Sequence, residues 1–107
     1  MSTEITHITE DEIIFVGAAN DPETDYILWT KGIDEKEIYF ETNGQAKSGY
    51  DIVKEITIDF DGVHIVLNDS TVEHFYFNLV EKEDWKKLAT GLQKIYQENK
   101  DVIEINT

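Results

Sequence analysis

Arginine and cysteine do not occur in this chain, and proline occurs once. Without cysteine there is no disulfide framework and no thiolate chemistry, and nothing calls for an oxidising compartment. Without arginine the usual bidentate clamp for phosphate or carboxylate substrates is missing. Bases are scarce altogether: nine lysines stand against 23 Asp and Glu, a net charge of −14 on 107 residues. Such a surface repels nucleic-acid backbones and anionic membranes, and it attracts basic surfaces over a Debye length, about 8 Å in physiological salt. Neither nucleic acid nor membrane is expected as a partner. A basic protein is. Acidity also serves solubility, so charge alone does not separate recognition from ordinary dispersal.

Long apolar runs are missing too. None exceeds four or five residues, far short of a membrane span. The start, Met1-Ser2-Thr3-Glu4-Ile5, has neither the basic nor the apolar region of a signal peptide. A soluble, cytoplasmic chain is the expectation. Catalytic motifs are equally absent. There is no Gly-x-Ser-x-Gly, Ser48 and Ser70 read as turn residues, and the glycines at 44 and 49 lack Walker spacing. No enzymatic activity and no cofactor are expected.

The chain does contain enough apolar residues, 40%, for one modest core, and its β-branched and aromatic content argues against disorder. Residues 1–107 read as a single domain, with 1–11 as a mobile N-terminal segment. Ile13-Ile14-Phe15-Val16, Tyr26-Ile27-Leu28-Trp29 and Glu37-Ile38-Tyr39-Phe40-Glu41 are short strand-like runs. Ile56, Ile58 and Phe60 then alternate with polar residues, Asp61-Gly62 makes a two-residue turn, and Val63, Ile65 and Leu67 resume the pattern. This pairing sets Phe60 opposite Val63. After a turn at Asn68-Asp69-Ser70-Thr71, the register carries Val72, His74 and Tyr76 onto the same face as Val63, and Phe75 onto the other.

From residue 81 the period changes. Trp85, Leu88, Ala89, Leu92, Ile95 and Tyr96 form one helical stripe, with Glu83 and Asp84 in the first turn and Lys94 and Lys100 near the end. Gly91 costs this helix about 1 kcal/mol against alanine and suits close packing on the sheet. The tail, residues 102–105, either frays or adds a short edge strand. The expected fold is α+β: an antiparallel meander of about six strands, curled, packed against one C-terminal helix.

Three histidines offer little for a metal. His7 falls in the N-terminal segment, and the register above puts His64 and His74 on opposite faces, so no metal site is expected. Asp59 and Asp61 flank a turn, where Asp is conformationally favoured. Asp21, Glu23 and Asp25 alternate in a loop without the glycine or bidentate Glu of an EF-hand. The first 30 residues hold seven acids and no base, so acidity is densest there. The candidate partner-binding residues are therefore Asp21, Glu23 and Asp25, with the turn acids Asp34, Glu35 and Glu37. Tyr26, Tyr39 and Tyr50 are candidates for partly exposed recognition tyrosines.

The stretch from Ile38 through Glu41, Gln45, Gly49 and Tyr50 to Thr57 resembles the polymorphic-toxin immunity proteins catalogued as immunity protein 10. The matching positions are Glu41, Gln45, Gly49 and Tyr50, the core alternation Ile56, Ile58, Val63 and Ile65, and the helix start Glu83-Asp84-Trp85. The likeness covers roughly residues 26–96, and its distinctive part is residues 45–50. It implies a small cytosolic protein that binds and neutralises a cognate toxin domain, a partner expected to be basic, and it adds Gln45 and Tyr50 to the candidate contacts. The alternative from layout alone is a small peptide- or protein-binding domain of pleckstrin-homology-like arrangement. Its usual phosphoinositide role needs a basic pocket that this chain lacks.

Overall fold

A computed structural model describes residues 3–43, 47–78 and 84–106. The protein is α+β, with nine strands in two sheets and one α-helix among these residues. The first sheet is an antiparallel meander of β1 (Glu4–Glu10), β2 (Ile13–Asp21), β3 (Asp25–Gly32), β4 (Tyr39–Thr42) and β5 (Lys47–Tyr50). The second has β6 (Val53–Asp59), β7 (Gly62–Leu67), β8 (Val72–Tyr76) and β9 (Ile103–Ile105) in the order β8-β7-β6-β9, with β9 parallel to β6.

Two strands were not expected, β1 and β5, and both are edge strands. Residues 4–10, expected as a mobile segment, instead pair along their whole length with β2. Ile5 packs against the core from this strand, but Thr and Glu around it dilute the apolar signal. β5 carries Lys47-Ser48-Gly49-Tyr50, which has no apolar alternation to announce it. The tail takes the edge-strand option as β9, and the Asn106 N–H donates to the Ile58 carbonyl at 2.8 Å.

Two hairpin registers differ from the sequence reading. In β6–β7 the pairs are Asp59 with Gly62 and Ile58 with Val63, so the turn residues are Phe60 and Asp61. Phe60 is therefore 74% exposed and not in the core. A shift of two residues preserves the faces, which is why Ile56, Ile58, Val63 and Ile65 are still buried together. Gly62 serves close approach, not turn geometry: a Cβ there would lie 2.2 Å from the Phe75 carbonyl oxygen of β8.

The β7–β8 connection is shorter by one residue than expected, a three-residue loop of Asn68, Asp69 and Ser70. The Leu67 N–H donates to Thr71 O, and Ser70 takes a left-handed φ of 71°, the arrangement of a turn closed by a bulge. One residue flips every side chain. Phe75 enters the core opposite Val63, while Val72, His74 and Tyr76 turn outward. His64 and His74 are therefore direct cross-strand partners on one face, which corrects the expectation that they stand on opposite faces.

The helix α1 (Trp85–Ile95) buries Leu88, Ala89, Leu92 and Ile95 along the expected stripe. Asp84 is its N-cap residue without a side-chain cap bond, Lys94 lies in the last turn, and Lys100 lies beyond it in a 3-10 turn (Lys100–Val102). Glu83 lies outside the described residues. The helix touches β1, β2 and β3 of one sheet and β6 and β9 of the other, so both sheets and the helix share one core. At its centre Trp29, Phe40, Ile56, Ile65, Leu88 and Leu92 are fully buried. Gly91 faces Val16: an added Cβ would come within 2.7 Å of a Val16 methyl carbon. Across the molecule, Thr3 and Asn78 exchange hydrogen bonds and Asn20 Nδ2 donates to the Tyr76 carbonyl at 2.9 Å, tying the first sheet to the end of β8. Among the described residues no helix is long and apolar enough to cross a membrane.

Candidate functional site

The helix covers only one face of the five-stranded sheet. Ile14, Val16 and Ala18 of β2, with Ile27 and Trp29 of β3, point into the core. Their neighbours therefore point away from it. Cross-strand pairing puts Ile8, Phe15, Thr30 and Tyr39 in one row of this outer face, with Tyr50 at its β5 end. The next row is Thr6, Gly17, Leu28, Glu41 and Ser48, and a third holds Glu4, Ala19 and Tyr26. Apolar side chains thus run across the sheet, Glu4 and Glu41 supply carboxylates, and no lysine shares these rows; Glu10 lies opposite Ile13 in the row beyond Ile8 and Phe15. Ile8 and Ile13 are about half exposed and Tyr50 is 62% exposed.

The middle of this face is concave. A recess of about 360 Å³ opens where Gly17 contributes no side chain, walled by Phe15, Leu28 and Tyr26 with Glu4 and Glu41 at its margins. Gly17 is needed for that shape, since a Cβ would sit 3.1 Å from the Ile27 carbonyl oxygen and 3.2 Å from Leu28 Cβ. The Tyr26 and Tyr39 hydroxyls both donate to the Glu41 carboxylate, Tyr39 at 2.7 Å. That hydrogen bond, followed by partial burial, pushes the Tyr39 phenol above its usual range, so tyrosine stays the donor and Glu41 the anion.

The sequence-derived contact residues fall at the two ends of this face and are not one cluster. Asp21, Glu23 and Asp25 sit at the β2–β3 tip. Asp21 Oδ1 accepts the N–H groups of Glu23 at 2.8 Å and Thr24 at 3.1 Å, which holds its carboxyl below the usual range. Its charge is partly spent on shaping the hairpin. Asp25 Oδ2 accepts from Asn20 Nδ2 at 3.0 Å. At the other end Asp34, Glu35, Glu37 and Tyr50 line a second depression of about 360 Å³ with Asp11 and Glu12 of the β1–β2 turn, and Lys31 of β3 is its one base among the described residues. Tyr50 packs on Tyr39 with ring centroids 5.3 Å apart. The ends are separated by the length of β2, roughly 25 Å at about 3.3 Å per residue. Gln45 lies outside the described residues.

Sequence reasoning did not identify the outer face itself. Its signal is present, in the alternation of Phe15, Gly17 and Ala19, but the continuous run Ile13–Val16 reads as a strand buried on both sides. A second constellation is missed because Asp59 and Asp61 read as turn residues and His64 is weighed only with His74. Asp59, Asp61 and His64, spaced i, i+2 and i+5 across the β6–β7 hairpin, converge on the outer side of the second sheet. Asp59 and Asp61 interact with each other, which raises the Asp59 carboxyl and lowers that of Asp61. No family model matches this chain, and neither a curated protein nor a solved structure matches it.

Proposed function

We propose that this chain is a non-enzymatic immunity protein that binds and neutralises a cognate, basic toxin domain through a stoichiometric complex in the cytoplasm. The observation that carries the reading is the uncovered outer face of the five-stranded sheet: apolar across its middle, recessed at Gly17, without lysine in its rows, and acidic at both ends. Five strands spaced about 4.8 Å, the longest nine residues, offer at most roughly 700 Å², close to the ~800 Å² that one partner contributes to a standard interface. The acidic loops at either end extend that area. A lysine or arginine of the partner suits the recess, its aliphatic stem along Phe15 and Leu28 and its head toward Glu4 and Glu41. The rim acids accelerate association with a basic surface and disfavour acidic competitors. The likeness of residues 38–57 to immunity proteins supports the same reading.

The test begins with capture of the partner by the tagged chain from its own cells. The captured protein is then purified, titrated for stoichiometry, and expressed in host cells with and without the chain. A basic domain that binds one-to-one and halts growth unless the chain is present is the expected result. A captured protein that is harmless to cells favours the second reading, a small protein-binding domain of pleckstrin-homology-like layout, which the strand meander closed by a C-terminal helix supports. An acidic partner, or protection that persists when Leu28→Arg abolishes binding, overturns the reading.

A further inference from the structure

We propose that Asp59, Asp61 and His64 form a binding site for one divalent first-row transition metal ion of the zinc class, with His74 as the positioning residue behind His64. His64 Nε2 lies 3.4 Å from Asp59 Oδ1 and 3.3 Å from Asp61 Oδ1, and one ligand atom from each residue falls within 4.8 Å of the others. Ligands held about 2.0–2.2 Å from a tetrahedral ion are spaced roughly 3.3–3.6 Å apart, so the two distances to His64 are those of tetrahedral edges. The Asp59 Oδ1 atom is shut off from solvent and has no hydrogen-bond partner.

The second nitrogen of His64 explains why the first is aimed at the carboxylates. His64 Nδ1 lies 2.7 Å from His74 Nδ1, close enough that one ring must donate to the other. If His64 donates there, its Nε2 presents a lone pair to two carboxylate oxygens. In that tautomer three electron-rich atoms face one another, which is the donor set a metal ion would take up. A metal-bound histidine that passes its other N–H to an acceptor is the usual second-layer arrangement. The His74 ring is held in turn against Tyr76, with centroids 6.0 Å apart and nearly parallel planes.

The frame is fixed by the hairpin. Asp59 ends β6, Asp61 is in the two-residue turn, and His64 is the third residue of β7. Asp59 and His64 keep about a quarter of their side-chain surface exposed and Asp61 more than half, which leaves a fourth ligand position open to water or to a donor from another molecule. The nitrogen ligand and the small ligand number disfavour Ca²⁺ and Mg²⁺, which take six or more oxygens. The site lies on the second sheet and does not depend on the docking face of the first.

The experiment is calorimetric titration of the purified chain with Zn²⁺, paired with the visible spectrum of the Co²⁺ adduct. One equivalent should bind, and Co²⁺ should give the intense d–d absorption of a tetrahedral ion. Asp59→Asn and His64→Gln should each abolish the saturable equivalent, and His74→Ala should weaken it roughly 10–100-fold while leaving the tetrahedral spectrum intact. Circular dichroism and the melting midpoint without metal identify any variant that has lost its fold. Asp61→Asn, in the exposed turn, provides a second ligand variant. Zn²⁺ binding unchanged in a folded His64→Gln chain, Ca²⁺ competing at equal concentration, or no saturable equivalent in the wild type overturns the proposal. The last outcome leaves His64 as a hydrogen-bonding partner of the two aspartates.

Discussion

Replacing Gly91 by alanine sets two effects of opposite sign against each other. In an exposed helix the substitution would stabilise by about 1 kcal/mol through propensity. Here the added methyl would stand 2.7 and 2.9 Å from the two Val16 methyl carbons and 3.1 Å from His7 Cγ. Val16 is fully buried and β-branched, so it has no free rotamer to move into. The helix or β2 must shift, and overpacking of this kind costs about 1–3 kcal/mol. With a rigid neighbour the upper part of that range applies, and the net effect is a loss of about 1–2 kcal/mol. Urea unfolding followed by far-ultraviolet circular dichroism measures it: at a slope of about 1–2 kcal/mol per molar, the midpoint should fall by roughly 1 M with the slope unchanged. Val16→Ala should remove the clash, so the double variant should be more stable than additivity allows by about 0.5 kcal/mol or more. A Gly91→Ala chain more stable than wild type would refute the close packing of helix on sheet.

Gly62→Ala should be worse, because its Cβ would meet backbone, 2.2 Å from the Phe75 carbonyl oxygen, and the β7–β8 pairing must open; loss of the cooperative transition, or a drop of about 3 kcal/mol or more, is the expected denaturation result. His7 is held below its ordinary 6.5, first by burial and then by Lys94 and Lys87. The unfolded chain therefore takes up its proton first, and stability that is intact above pH 6.5 declines as pH falls through 6.5 toward the folded value. The difference in stability between wild type and His7→Gln should shrink or reverse over that interval, and a difference that is flat with pH would contradict the assignment.

The core was legible where one face of a strand is buried, because alternation there is enforced by burial. Ile56, Ile58, Val63 and Ile65 and the stripe Leu88, Ala89, Leu92 and Ile95 are all in the core as the sequence implies. Phe60 and Phe75 exchanged fates because hairpin register is set by turn conformation: Asp61-Gly62 looks like the turn, but the close approach of β8 claims the glycine, and the left-handed Ser70 closes a three-residue loop that leaves Thr71 opposite Leu67, which alternation alone does not reveal. Edge strands β1 and β5 were hidden for a related reason, since they contribute few buried side chains and are held by backbone pairing. The acidic candidates were readable as charge but not as positions. Their separation along β2, and the apolar surface between them, exist only once the meander has set its rows side by side.

The claim that this surface receives a basic protein rests on position as well as charge, and one titration separates the two. The purified partner is measured calorimetrically against wild type, Leu28→Arg and Val72→Arg. Both substitutions add one positive charge, Leu28 at the centre of the outer face of the first sheet and Val72, 51% exposed, on the second sheet. Placing a charge in the centre of an interface costs about 2 kcal/mol or more, so Leu28→Arg should weaken binding roughly thirtyfold or beyond, while Val72→Arg should stay within about twofold. Equal weakening by both would reduce the recognition to net charge, and loss confined to Val72→Arg would place the partner on the other sheet and contradict the account.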